Sequence, residues 1–181
     1  MKQIIVGDTT ITSNSAPYVI AEIGVNHEGS LERALELIEL AKAGGADAAK
    51  FQTYKAETLA STHSPAYWDT SEEPTLSQYE LFKKYDRFNE NEYRLLAEHC
   101  HNVGIDFLST PFDAASVEFL DPLMSAYKVA SADLTNVPLL RIVAAKSKPV
   151  ILSTGASTLA EIERAVDELW RHGCTQLALL H

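Results

Sequence analysis

Six short apolar runs punctuate this chain, and nearly every one passes through polar residues into a helix-period pattern. The first shows the form most plainly. Tyr18-Val19-Ile20-Ala21 is apolar; Glu22, Gly24, Asn26, His27 and Gly29 follow in quick succession; Leu31 then starts an amphipathic stretch. Strand, polar glycine-containing turn and helix form a unit whose chemistry sits at the strand's C-terminal end, where barrels and open sheets of such units bind ligands. Short apolar strands joined by helices also demand a parallel sheet buried on both faces.

Taken in order, Lys2 to Ile11 with Gly7-Asp8 at its middle reads as a short hairpin or arm. Strand-like runs follow at Tyr18–Glu22, Ala48–Phe51, Ile105–Leu108, Ala126–Ala130, Pro149–Leu152 and Leu177–Leu180. Between them lie helix patterns: Leu31 to Ala41 behind a Ser30 cap and stopped by Gly44-Gly45, Gln78 to Tyr85, Glu90 to Val103 closed by Gly104, a helix opened by Asp113, one begun by Pro138, and one capped by Ser157 or Thr158. Thr53 to Leu76 is a long polar connection with Pro65 and Pro74, a length that usually marks a lid or another functional loop.

Polar residues close every strand: Glu22; Lys50 with Gln52; Ser109 with Thr110; Lys128 with Ser131 and Asp133; Ser153 with Thr154; and His181. An open doubly wound sheet gathers its site at one switch point, whereas contributions from every strand in turn favour a TIM-type (β/α)8 barrel whose strand ends converge. About six βα units are present, so roughly a quarter of such a barrel is missing. The expectation is a single domain over residues 1–181 that forms the N-terminal part of a longer barrel.

With 46% hydrophobic residues the chain can bury a real core, and its net charge of −10 disfavours nucleic acid and acidic membrane surfaces as partners. Local lysines could still hold a small anion. Cys100 and Cys174 read as reduced thiols of a cytoplasmic protein, and no run approaches the ~18 residues of a membrane span.

Lysine inside a strand is rarely buried without a partner. Lys50 and Lys128 therefore either pair with Glu22 or Asp133, or point into the barrel mouth and bind an anion. Hydroxyls of Thr110, Ser131 and Ser153 would add donors, and that donor set suits phosphate better than carboxylate. Glu22 is either a turn-capping carboxylate or a general acid/base. His27 is as readily a solvated loop histidine as a catalytic one. His99 and His101 fall on different helix faces and read as surface. Tyr67 and Trp68 in the long connection fit a lid anchor or a subunit contact equally well.

The segments Ala21-Glu22-Ile23-Gly24-Val25-Asn26-His27, Ala46–Thr53, Leu108–Asp113, Tyr127–Asn136 and Pro149–Gly155 resemble the sialic acid synthase (N-acetylneuraminate synthase) family, in order and over nearly the whole chain. The resemblance implies condensation of phosphoenolpyruvate with N-acetylmannosamine or a related 2-acetamido sugar, giving a nonulosonic acid and phosphate. It implies that Lys50, Thr110, Lys128, Ser131 and Ser153 hold phosphoenolpyruvate, that Glu22 is the acid/base residue, and that Gln52 and Asp133 contact the sugar. It further implies a divalent metal, manganese or magnesium, whose histidines lie past residue 181 and have no counterpart here, and a homodimer in which an antifreeze-like C-terminal domain, absent here, caps the partner's site. On this basis the 181-residue chain alone is expected to be inactive. Legionaminic or pseudaminic acid synthases and a non-catalytic phosphoenolpyruvate-binding remnant remain as alternatives. Ala49 before Lys50, and Ala132 between Ser131 and Asp133, depart from the family's commoner residues without removing a functional side chain.

Overall fold

The computed structural model describes residues 3–181; Lys2, the expected start of the hairpin, lies outside them. Strands β1 (Gln3–Val6) and β2 (Thr9–Thr12) form an antiparallel hairpin about Gly7, whose φ of 56° and close approach to Asp106 exclude a side chain: a β-carbon there would lie 2.6 Å from Asp106 Oδ1. Then come β3 (Ile20–Gly24), α1 (Leu31–Ala43), β4 (Ala48–Thr53), α2 (Ala56–Leu59), α3 (Gln78–Tyr85), α4 (Glu90–Val103), β5 (Asp106–Pro111) and α5 (Ala114–Leu120). After these follow β6 (Tyr127–Val129), α6 (Val137–Ala145), β7 (Val150–Ser153), α7 (Leu159–Arg171) and β8 (Leu177–Leu180).

Local chemistry sets the helix starts. Ser30, Ser77, Asn89, Asp113, Asn136 and Thr158 each accept a first-turn amide, and Asn89 with Glu92 and Thr158 with Glu161 complete capping boxes. The long connection after β4 is less bare than expected. It contains α2, and an isolated antiparallel bridge joins Pro65 to Ser77.

The six strands after the hairpin run parallel in two groups, β3-β4-β5 and β6-β7-β8. The expected incomplete barrel of six βα units is there, with an interruption in its wall. β5 and β6 are spatial neighbours, yet no ladder joins them among the described residues. β6 is only three residues long, and the Ser109 amide donates instead to Met124 Sδ at 2.9 Å. β3 and β8 are likewise unpaired with each other, so the barrel is not closed. The architecture is that of a partial α/β barrel.

Strand alternation sorts the side chains into two cores. Ala49, Phe51, Phe107, Tyr127, Val129, Val150 and Leu152 face outward and pack under the helices. Ala48, Leu108, Ala126 and Ile151 face inward and pack on Ile4 and Val6 of the hairpin. The N-terminal arm is thus an apolar plug under the strands. Continuing the same alternation, Glu22, Lys50, Thr110, Lys128 and Ser153 emerge on the inner side, one layer above the plug.

Candidate active site

Lys50 leaves the middle of β4 on the inner side, between the outward-facing Ala49 and Phe51, and is only 5% exposed. Its Nζ lies 2.6 Å from Glu22 Oε1 and donates a longer bond, 3.4 Å, to Thr110 Oγ1. Ladder register explains the meeting, because Glu22 is paired with Lys50 across β3 and β4, while Lys50 and Thr110 stand one alternation apart on neighbouring strands. Glu22 itself is largely exposed, so the carboxylate reaches down from the mouth to a cation beneath it.

Lys128, 8% exposed, forms no ion pair with a carboxylate among the described residues. Its Nζ donates to Ser153 Oγ at 2.7 Å and to the Val129 carbonyl at 2.9 Å. Burial, and then the neighbouring Lys50 ammonium, push its pKa down to about 8, with Glu22 pulling weakly the other way. Two ammonium groups therefore stand close enough to repel each other, and only one has a counter-charge. The expected Lys50–Glu22 pair exists; the alternative pairing of Lys128 with Asp133 does not.

Ser131 and Asp133 lie on a 3-10 turn directly after β6. Ser131 faces Gly155 at the end of β7, where a β-carbon would come within 3.5 Å of the serine oxygen. The Asp133 carboxyl is raised by burial, an effect partly offset by the Asn136 amide that donates to it at 3.0 Å. Gln52 and Glu22 converge on Gly24, whose missing β-carbon would lie 3.6 Å from each side chain. Lys50, Thr110, Lys128, Ser131, Ser153, Glu22, Gln52 and Asp133 thus all fall at strand ends on one side of the molecule.

Three polar strand-end residues do not join them. Ser109 faces outward, where its hydroxyl shares a 2.7 Å hydrogen bond with that of Thr53. The Thr154 hydroxyl is spent on the Leu180 carbonyl at 2.9 Å. His181 is exposed at the end of the chain. His27 fits neither expectation, since it is 2% exposed and its ring stacks on Phe88 at 4.3 Å. Sequence reasoning also missed Tyr93, whose hydroxyl donates to the Gln52 carbonyl at 2.7 Å and so holds the end of β4. Only its apolar helical spacing was readable; a bond to a backbone 41 residues away leaves no local signal.

Among the described residues no group of three or more His, Cys, Asp or Glu side chains could hold a metal ion. The implied manganese or magnesium does not fit the residues present, and no step below passes through it. Nor is any helix long and apolar enough to cross a membrane among the described residues.

Known proteins resemble this chain over most of its length. A family model described as the NeuB family matches residues 37–181. An N,N'-diacetyllegionaminic acid synthase of Legionella pneumophila is 44% identical over 158 residues, spanning 86% of this chain and 44% of that protein. The crystal structure of an N-acetylneuraminic acid (sialic acid) synthetase from Leptospira borgpetersenii, in complex with citrate, superposes with a TM-score of 0.84 at 32% identity, over 99% of this chain and 59% of that one. A truncated 3-deoxy-D-arabino-heptulosonate 7-phosphate synthase from Thermotoga maritima matches with a TM-score of 0.70 at 16% identity over 98% of this chain and 55% of that one, a likeness of fold alone. The chain spans about half the length of the curated relatives it matches. A family match over residues 37–181, most of the chain, shows that this chain belongs to the NeuB family.

Proposed function

We propose that the strand ends of this chain form the phosphoenolpyruvate half of a synthase site, in a protein that condenses phosphoenolpyruvate with a 2-acetamido sugar and releases phosphate. The observation that carries the reading is Lys128, a buried cation beside a second cation, bonded to the Ser153 hydroxyl and the Val129 carbonyl and, among the described residues, to no carboxylate. Such a group is destabilised until an anion arrives. The dianionic phosphate and the carboxylate of phosphoenolpyruvate together supply the missing charge, and Thr110, Ser131 and Ser153 supply hydroxyl donors.

In this reading Glu22 does the proton work. Carbon–carbon bond formation joins C3 of phosphoenolpyruvate to the sugar aldehyde, water adds at C2, and phosphate leaves from C2. A carboxylate beside Lys50 can hold or take a proton at the aldehyde oxygen or the incoming water. Gln52 and Asp133, at the rim of the same mouth, contact the sugar. The whole protein works as a cytoplasmic homodimer, and the present residues alone do not complete the condensation.

The 44% identity to an N,N'-diacetyllegionaminic acid synthase favours a second reading of the sugar, a legionaminic-type diacetylated precursor in place of N-acetylmannosamine. Calorimetry of phosphoenolpyruvate binding to the purified chain, beside Lys128→Ala, tests the shared core. Saturable binding that Lys128→Ala abolishes is expected; a folded chain that does not bind would overturn the assignment. Turnover of N-acetylmannosamine by the 181-residue chain with added manganese would refute its inactivity.

A further inference from the structure

The strand ladder alone does not set the path of the chain that leaves Glu22. Pairing between β3 and β4 slips between Glu22 and Gly24, so the ladder ceases to define the chain direction at the point where Glu22 is presented. The following turn is then held by its own bonds: Asn26 N to Ile23 O, Glu28 N to Val25 O and Ser30 N to His27 O, all 2.9 Å. It also carries two left-handed residues in succession, Glu28 at φ 53° and Gly29 at φ 79°. A non-glycine residue in that region is strained and needs outside support.

His27 supplies the support in two ways. Its Nδ1 accepts the Gly29 amide at 3.1 Å, which fixes the turn. Burial lowers the imidazole's pKa, and because Nδ1 accepts the Gly29 amide, the proton of the neutral ring belongs on Nε2. The ring face stacks on Phe88 at 4.3 Å and 11°, and tilts against Phe51 of β4. Phe88 in turn ends the long excursion after β4. Lys55 ties the two ends of that excursion together, donating to Asp86 at 2.8 Å and to the Phe88 carbonyl at 3.2 Å. Beside this, Gly29 lies so close to Arg87 that a β-carbon would be 2.5 Å from Arg87 Cγ.

We propose that His27 is a positioning residue that locks the Glu22 turn to the base of the 54–88 excursion, so that the acid/base carboxylate and the lid-like segment share one anchor. The inference rests on the role given to Glu22 above. Its geometry is testable apart from that role.

Two variants separate the two links. His27→Asn places an amide oxygen near the position of Nδ1, keeping an acceptor for Gly29 while removing the ring. His27→Phe keeps the ring on Phe88 and removes the acceptor. Amide exchange and the carboxyl carbon signal of Glu22, read by NMR on the purified chain, report the outcome. Exchange at Gly29 should quicken in His27→Phe, by about fivefold for a bond worth about 1 kcal/mol. Exchange at residues 86–88 should quicken in His27→Asn. In both variants the Glu22 carboxyl signal should move toward its position in Lys50→Met, where the ion pair is gone. If both variants only lower the unfolding midpoint and leave the Glu22 signal in place, His27 is a packing residue and the inference is overturned. Loss of phosphoenolpyruvate binding in the wild-type chain would instead overturn the function and leave this result standing.

Discussion

Lys50 on β4, the central strand of its group, and Lys128 on β6, an edge strand of the other, both stand one layer above an apolar plug, yet they solve the problem of a buried charge differently. On β4 the ammonium has Glu22 at 2.6 Å. On β6 it has only a hydroxyl and a carbonyl, and its pKa falls to about 8. The first group is electrostatically complete without a ligand; the second is not. On the proposed function, that difference makes Lys128 the chief partner of the anion and leaves Glu22 for the proton work once the anion shares the load on Lys50.

Substituting Lys128 breaks the comparison hardest. Lys128→Met should abolish phosphoenolpyruvate binding and yet raise stability at pH 7 by about 2 kcal/mol, measured by denaturant titration, because it removes an unpaired buried charge. The sign follows from linkage. The folded pKa, about 8, lies below the ordinary lysine value, so between the two the unfolded chain holds the extra proton and stability rises with pH. Below about 8 both states are protonated and the penalty is fully present. The wild-type chain should therefore gain stability from pH 8 toward pH 10, a slope that Lys128→Met flattens. Phosphoenolpyruvate needs the protonated lysine, so its affinity should weaken above pH 8, approaching about tenfold per unit.

Glu22→Gln sharpens the other side. It strips Lys50 of its counter-charge, and a loss of about 1 kcal/mol is expected, small because Glu22 is largely exposed. Thermal unfolding with and without phosphoenolpyruvate should show the ligand restoring most of that loss. A smaller effect belongs to Ser153→Ala, which removes one donor–acceptor partner of Lys128 and should weaken phosphoenolpyruvate about fivefold in calorimetry, with Lys50 unaffected.

Much of this was legible in the chain itself. Apolar runs with polar ends located the six parallel strands, and capping residues such as Ser30, Asp113 and Thr158 located helix starts. Lys50, Thr110, Lys128 and Ser153 stood out as polar groups where a strand should be apolar, and alternation does turn them inward. Boundaries were less legible. β4 and β5 run past Phe51 and Leu108 to Thr53 and Pro111, because parallel pairing continues through polar residues as long as backbone partners remain. His27 shows why a lone histidine resists assignment, since burial came from Phe88, on a segment folded back from about 60 residues away.

Local sequence determined which residues form strands and helices and which polar groups lie at the strand ends, because pattern period and capping act over a few neighbouring residues. Tertiary structure decided which charges meet. Glu22 reaches Lys50 through the β3–β4 register, Lys128 is left to Ser153 through that of β6 and β7, and Met124 takes the Ser109 amide at the junction of the two groups. Those pairings depend on register and packing between segments distant in sequence, and a one-residue slip of β4 or of β6 would have turned that strand's lysine out of the site.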